Sequence, residues 1–210
     1  MTENSLSLEV VRNHLAALRP VLDFLDDEAA RLDRWGRTLA TRLMSGNRML
    51  AAGNGGSAAE AQHFTAELVG RFDGERRPFS AVSLHADSSA VTAIGNDYGF
   101  AEVFARQVRG HGRGGDVLVL LSTSGSSRNL LLAAAAATEL GLSTWALTGE
   151  GPNPLSGVVD ECLCLPGPSA NVQEAQLVAI HAICRAFDET VLAADAESSQ
   201  RELAQTRSTR

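Results

Sequence analysis

The residues best suited to chemistry are a histidine and a carboxylate on one helical face. His63 and Glu67 are four positions apart in AAEAQHFTAELVGRF, a spacing that puts both side chains on the same side of a helix. An imidazole and a carboxylate placed in this way can share a proton or a metal ion, although a surface ion pair is an equally ordinary outcome. His181 follows Gln173 by two turns in NVQEAQLVAIHAICRAF, among apolar neighbours. It is therefore either a hydrogen-bonded core residue or part of a buried site.

Two loops rich in glycine and serine could bind an anion. GNGGS occupies residues 53–57 and STSGSS occupies residues 122–127, each between an apolar run and a helical pattern. Glycine allows a ligand close to the backbone. Ser57 is the expected N-cap of the helix after the first loop, and free N–H groups at a helix N-terminus attract anions. The hydroxyls of the second loop would complete a neutral phosphate cradle. Either loop alone could be a plain turn, but two at one sheet edge favour a binding site.

The same glycines also match a dinucleotide fingerprint. Gly53, Gly55 and Ala58 satisfy G-x-G-x-x-A, and Asp87 lies near the end of the next strand. That motif is weak evidence on its own, and the serine-rich second loop is a better anion site than a dinucleotide fold needs there. The chain has no G-x-x-x-x-G-K-[ST] sequence, so a P-loop nucleotidase is not supported.

These residues are carried by alternating strands and helices. After residue 48, short apolar runs alternate with helical patterns, which is typical of a parallel sheet with helices on both faces. We therefore predict an α/β fold of about five parallel strands. The candidate strands are 49–53, 81–84, 117–122, 144–148 and 161–165, and the candidate helices are 57–70, 98–110, 127–140 and 172–193.

Three regions are expected along the chain. Residues 1–46 form N-terminal helices interrupted by Pro20, which either cover the domain or contact another chain. Residues 47–194 form the α/β domain. Residues 195–210 are polar and are expected to be a disordered tail.

Composition narrows the possible functions. The 210 residues carry 18 Lys and Arg against 25 Asp and Glu, for a net charge of −7, which argues against nucleic-acid binding. No apolar run is long enough to span a membrane, and the first residues do not read as a secretory signal. Three cysteines (Cys162, Cys164, Cys184) without metal-finger spacing are expected to pack as small apolar groups, in a cytoplasmic protein.

Taken together, the motifs resemble a known family. GNGGS, AQHFTAEL-GRF, GNDYGF, STSGSS, LTGE and VQEAQ-VAIH occur in this order, at matching spacing, in the phosphoheptose isomerases, enzymes of the sugar isomerase (SIS) fold. The similarity extends from about residue 6 to about residue 192. The two loops are typical of the wider SIS superfamily, whereas the set of His63, Glu67, Gln173 and His181 is typical of the isomerases.

The resemblance implies a reaction and a site. In this family sedoheptulose 7-phosphate is converted to D-glycero-D-manno-heptose 7-phosphate through an enediol, in a cytoplasmic homotetramer with active sites at subunit interfaces. One Zn²⁺ per subunit would be held by His63, Glu67, Gln173 and His181. The substrate would be bound by Asn54, Gly55, Gly56, Ser57, Glu67, Asn96, Asp97, Ser122, Thr123, Ser124, Ser127 and Gln173.

Glu67 and His181 are the expected catalytic pair. Glu67 would move the carbon-bound proton, and His181 would move protons at the oxygens, because an imidazole can both accept and donate a proton near neutral pH. Gln173 and His181 are eight residues apart, a rise of about 12 Å in a continuous helix. Either Gln173 precedes the helix, or the metal is shared between subunits.

A non-catalytic SIS protein of the type that associates with a replication initiator is the alternative. Such proteins keep the loops and lose the acid–base pair, whereas this chain retains His63, Glu67 and His181. The chain departs from common isomerases at GPNPLSG after LTGE, and at Ala170 and Asn171, where a charged pair often stands. These differences bear on substrate preference more than on reaction class.

Overall fold

A computed structural model describes residues 3–208, and the expected α/β class and five-stranded parallel sheet are confirmed. The strands are β1 (Met49–Ala52), β2 (Ala81–Ser83), β3 (Val117–Ser122), β4 (Ser143–Thr148) and β5 (Glu161–Cys164). The helices are α1 (Glu3–Asp27), α2 (Ala29–Met44), α3 (Gly56–Val69), α4 (Ser88–Tyr98), α5 (Val103–His111), α6 (Arg128–Glu139) and α7 (Ser169–Ser208), with a 3₁₀ turn at Phe100–Glu102.

The strand order is β2-β1-β3-β4-β5, and every neighbouring pair is parallel. β1 and β3 are each fully buried, because helices cover both faces of the sheet. The chain leaves β1 toward one edge of the sheet and later returns to place β3 on its other side. The gap between the ends of β1 and β3 is therefore a topological switch point, where open α/β sheets bind ligands.

Each face of the sheet has its own hydrophobic core. On one face, Met49, Val119 and Leu147 pack with residues of α1, α2, α3 and α7, including Trp35 and Phe187. Leu118, Leu120 and Ala146 on the other face pack with residues of α5 and α6, including Phe104 and Leu130. The rings of Trp35 and Trp145 stack 5.0 Å apart, which joins α2 to β4.

Three elements differ from the sequence-based expectation. α1 continues through Pro20 rather than stopping there. α4 is an additional helix before residue 98; none of its described residues is buried, so it has no apolar stripe to reveal it. α7 begins at Ser169 and continues to Ser208, beyond the expected 172–193, so the described part of the polar tail is helical. Within the part of the chain that the structure describes, no helix combines the length and apolarity that crossing a membrane would take.

Candidate active site

The two glycine and serine loops meet at the switch point between β1 and β3. They enclose a cavity of about 170 Å³. None of the lining residues is charged, and all except Leu121 have side chains that can donate hydrogen bonds. The lining residues are Asn54, Ser57, Leu121, Ser122, Thr123, Ser124 and Ser127. This is the anion cradle that the loop sequences predict. Ser57 lines it from the first turn of α3, and the N-cap of that helix is Gly55 rather than Ser57.

A reciprocal amide pair ties the two loops together. Asn54 Nδ2 donates to Asn129 Oδ1 at 3.0 Å, and Asn129 Nδ2 donates to Asn54 Oδ1 at 2.9 Å. Asn129 is buried at the start of α6 and Asn54 is half-buried, and the two hydrogen bonds together fix the orientation of the Asn54 amide. Sequence reasoning missed Asn129, because nothing local shows that it faces a residue 75 positions away.

The serine loop, residues 122–127, is also stabilised by hydrogen bonds that involve Gly125. Ser122 Oγ accepts a hydrogen bond from Gly125 N at 3.1 Å, and Leu155 N donates to Gly125 O at 2.8 Å. Gly125 has a φ of +60°, and a Cβ there would overlap the Asn153 side chain. Glycine is required at this position for both reasons.

His63, Glu67 and His181 form a compact cluster between α3 and α7. His63 Nε2 lies 3.0 Å from Glu67 Oε1 and 2.9 Å from His181 Nε2. All three residues are half-buried, and the Phe72 ring packs against His181 with centroids 5.2 Å apart. The structure thus brings together three of the four predicted metal ligands from one chain, and both members of the predicted catalytic pair.

This donor set fits a divalent cation. One ligand atom from each of the three side chains lies within 4.8 Å of the other two. Catalytic zinc sites use imidazole nitrogens and carboxylate oxygens at about 2.0–2.2 Å, with three protein ligands and one open position. Two imidazoles and one carboxylate facing a common point meet this description.

A buried arginine clamps the end of α3 to α7 beside this cluster. Arg76 Nε donates to Asp188 Oδ1 at 2.7 Å, and the guanidinium also donates to the carbonyls of Glu67, Leu68, Gly70 and Arg77. The Arg76 side chain is only 1% exposed. Because Asp188 lies two turns after His181 on α7, the clamp holds the backbone of Glu67 in register with His181. The sequence shows no signal for this pair, whose members are 112 positions apart.

Gln173 does not join the cluster within one chain. It lies inside α7 with its side chain against Gly56, where a Cβ would overlap the Gln173 amide. Eight residues of helix, a rise of about 12 Å, separate it from His181. The possibility that Gln173 precedes the helix is thereby wrong.

Asn96 and Asp97 also stand apart from the cavity. They are exposed on the last turn of α4, where Asn96 Nδ2 donates to Asp97 Oδ1 at 2.8 Å, and they are not among the residues that line the space between the loops. Asp87, placed near a strand or helix end by the sequence, caps α4 by accepting from Ala90 N at 3.0 Å.

Two further titratable residues, Glu60 and His85, have buried polar atoms that the sequence analysis did not predict. Glu60 lies one turn before His63 on α3; burial raises the pKa of its carboxyl to about 7, and its Oε2 finds no hydrogen-bond partner among the described residues. His85 follows β2, and both of its buried ring nitrogens likewise find no partner in the described part of the chain. Burial lowers the pKa of that imidazole. Only the burial of these side chains, which the sequence does not show, distinguishes them.

The parallel sheet, the two loops at its switch point and the histidine–carboxylate cluster define a sugar isomerase type of α/β protein. A family profile described as the SIS domain matches residues 13–149. The phosphoheptose isomerase of Streptomyces coelicolor is 60% identical over 179 residues, covering 85% of this chain and 78% of the relative. That of Thiobacillus denitrificans is 43% identical, covering 87% of this chain and 95% of the relative.

A comparison with solved structures also finds a phosphoheptose isomerase with a similar fold. The phosphoheptose isomerase of Neisseria gonorrhoeae superposes with a TM-score of 0.80 at 40% identity, covering 87% of this chain and 98% of that one. The chain belongs to the phosphoheptose isomerase family of SIS-domain proteins, and it is an enzyme of the isomerase class.

Proposed function

We propose that the enzyme converts sedoheptulose 7-phosphate to D-glycero-D-manno-heptose 7-phosphate. The observation that carries this proposal is the presence of both the His63–Glu67–His181 cluster and a neutral cavity suited to phosphate in a chain of this family. A non-catalytic SIS protein would have no need of an imidazole–carboxylate pair at 3.0 Å.

The phosphate group would lie in the cavity between the loops. The hydroxyls of Ser122, Thr123, Ser124 and Ser127 face it, and the amide of Asn54 is held in one orientation by Asn129. Hydroxyls and N–H groups, rather than an arginine or lysine, line this cavity. Binding would therefore depend on directed hydrogen bonds and on the N-terminus of α6.

The isomerisation would proceed by proton transfer through an enediol. Glu67 takes the proton from one of the two carbons, C1 or C2, and returns it to the other. His181 moves the protons at the two oxygens, and a positioned acid–base group of this kind contributes about 10²- to 10⁴-fold. The clamp between Arg76 and Asp188 keeps both groups in register.

A zinc ion fits this account as the cofactor, one per subunit. His63, Glu67 and His181 would hold it, and Gln173 from a neighbouring protomer would supply the fourth ligand. When bound, such a cation supplies Lewis-acid stabilisation of developing negative charge.

The active site is proposed to be assembled from more than one protomer of a homotetramer. Ser57 lines the cavity, whereas His63 faces α7 from a position six residues, or about 240°, further around α3. The cavity and the cluster of one chain therefore open in different directions. In addition, α1 exposes Leu8, Val11 and Leu15, and α1, α2 and α7 enclose a groove of about 1000 Å³ that includes Leu25 and Ala182. These apolar surfaces support the proposed oligomer contact of residues 1–46.

Turnover of Glu67→Gln tests the role of the carboxylate. The amide cannot accept the carbon-bound proton, so we expect at least about a hundredfold loss of kcat with an unchanged oligomer by light scattering. Glu75→Gln, which alters an exposed glutamate on the loop after α3, is the control and should keep full turnover. Wild-type turnover in Glu67→Gln would exclude the proposed role.

Mixed oligomers test the shared site. Gln173→Ala chains and His181→Ala chains are each expected to be inactive. If one metal takes ligands from two protomers, oligomers reassembled from both variants contain some intact sites and regain part of the activity. An inactive mixture that has exchanged subunits would contradict sharing.

A further inference from the structure

Two cysteines on the edge strand of the sheet face each other at close range. Cys162 and Cys164 are alternate residues of β5, so both side chains lie on the same face of the sheet. Their Sγ atoms are 3.6 Å apart, and Thr148 Oγ1 on the neighbouring strand lies 3.4 Å from each. This is the face that carries α5 and α6, opposite to the His63–Glu67–His181 cluster. The third cysteine, Cys184, is buried in the other core.

The spacing of the two sulfur atoms suits a shared cation better than a disulfide. Two Zn–S bonds of about 2.3 Å at a tetrahedral angle put the sulfur atoms about 3.8 Å apart, close to the observed 3.6 Å. A disulfide needs an S–S distance of about 2.0 Å, and alternate residues of a strand have Cα atoms about 6.6 Å apart, near the upper limit for such a bond. Pairing of β5 with β4 restrains the backbone that would have to contract.

We propose that Cys162 and Cys164 form a two-thiolate binding site for a thiophilic divalent cation, separate from the His63–Glu67–His181 cluster. Binding breaks two S–H bonds, forms two bonds from sulfur to the cation and releases two protons to solvent. Thr148 Oγ1, 3.4 Å from both sulfur atoms, would supply a third ligand, and solvent water would complete the coordination because both cysteines are only partly buried. Thiolates select soft cations over Mg²⁺ or Ca²⁺.

The Cys162 thiol is neutral until a cation arrives. Burial raises the pKa of the Cys162 thiol to about 12, so this thiol is a poor nucleophile at neutral pH when no cation is bound. A divalent cation offsets the charge of both thiolates, and its binding must strengthen as the pH rises because protons are displaced.

The site is coupled to the serine loop. Asn153 Nδ2 donates to Thr148 Oγ1 at 2.9 Å, and the same side chain packs against Gly125. A cation on Thr148 Oγ1 draws electron density from the oxygen that accepts this hydrogen bond, which weakens the bond and loosens the support of the loop. Occupation of the thiol pair therefore weakens phosphate binding in the cavity, by at most roughly fivefold, the equivalent of one lost hydrogen bond.

Cadmium titration of the reduced, metal-free chain tests the site. Cd²⁺ bound to thiolates shows an ultraviolet charge-transfer absorption that imidazole and carboxylate ligands do not give. We expect this absorption to saturate at one equivalent per chain in His63→Ala, to appear also in the wild type and in Cys184→Ala, and to be lost in Cys162→Ser and in Cys164→Ser. The His63→Ala control keeps this result independent of the proposed catalytic metal. Absence of the absorption in the wild type, or its persistence in the double serine variant, would overturn the site.

A second measurement follows the thiols themselves. In His63→Ala, one equivalent of Cd²⁺ should protect Cys162 and Cys164 from alkylation, as read by peptide mass, and unprotected thiols would contradict the proposal. Calorimetry with inorganic phosphate tests the coupling, with and without Cd²⁺, in His63→Ala. Unchanged phosphate affinity would rule out the coupling to the serine loop.

Discussion

Removal of the Arg76 guanidinium should destabilise the fold far more than removal of the guanidinium of the next residue, Arg77. Arg76→Met leaves Asp188 buried without its cation and leaves the carbonyls of Glu67 and Leu68 without a donor. Breaking a buried ion pair by deleting one partner costs about 3–5 kcal/mol. The unpaired carbonyls act in the same direction, so we expect the loss to lie at the upper end of this range.

Arg77 is the matched control for this experiment. Its ion pair with Asp195 is 3.4 Å long, and the two side chains are 50% and 46% exposed. An exposed pair of this kind contributes about 0–1 kcal/mol. Arg77→Met should therefore change the free energy of unfolding by less than about 1 kcal/mol.

Urea unfolding at one protein concentration measures both variants. Fluorescence of the stacked pair Trp35 and Trp145 reports the core directly. The double variant Arg76→Met and Asp188→Leu should lose less stability than the two single variants combined, because it leaves no unpaired charge. Equal stability of Arg76→Met and Arg77→Met would refute the clamp.

Three further changes give independent tests. Burial raises the pKa of Glu60 from 4.5 to about 7, so the folded chain retains a proton that the unfolded chain releases, and stability falls as the pH rises through this window. Glu60→Gln removes the cost of burying a charged carboxylate. It should raise the free energy of unfolding near pH 8 by on the order of 1 kcal/mol, allowing for the partial exposure of the side chain, and should give no gain near pH 4. An equal effect at both pH values would contradict this expectation. Gly125→Ala should lower the urea midpoint and the affinity for inorganic phosphate, with about 1–3 kcal/mol of strain at positive φ. Gly74→Ala, a glycine with open space around it, should be near neutral, and equal behaviour of the two variants would argue against the loop geometry. Asn129→Ala should raise KM about tenfold while kcat changes little, because the orientation of Asn54 is lost; steady-state kinetics would show a kcat effect instead if Asn129 acted on the reacting carbons.

The sequence predicts those elements that are buried on both sides. DVLVLLS and STWALT are continuous apolar runs because β3 and β4 contact helices on both faces. α4 lies at the surface without a buried residue, so periodicity could not reveal it. The end of α7 was misjudged for a similar reason, since residues 195–201 of this helix are mostly exposed.

Some contacts of the candidate site follow from the spacing of residues within one helix, whereas others join residues that are far apart in the sequence. His63 and Glu67 are four residues apart on one helix, so their contact follows from helical geometry. Their contact with His181 depends on how α3 packs against α7, and only the family resemblance pointed to it. The pairs Asn54–Asn129 and Arg76–Asp188 have neither a local spacing nor a motif, and only the folded chain shows them.

Metal analysis combined with a turnover assay tests the central claim most directly. The purified enzyme is expected to carry zinc and to convert sedoheptulose 7-phosphate, and His63→Ala is expected to lose one zinc per chain together with the turnover. Full turnover by a chain that binds no divalent metal would contradict the proposed zinc-assisted isomerase.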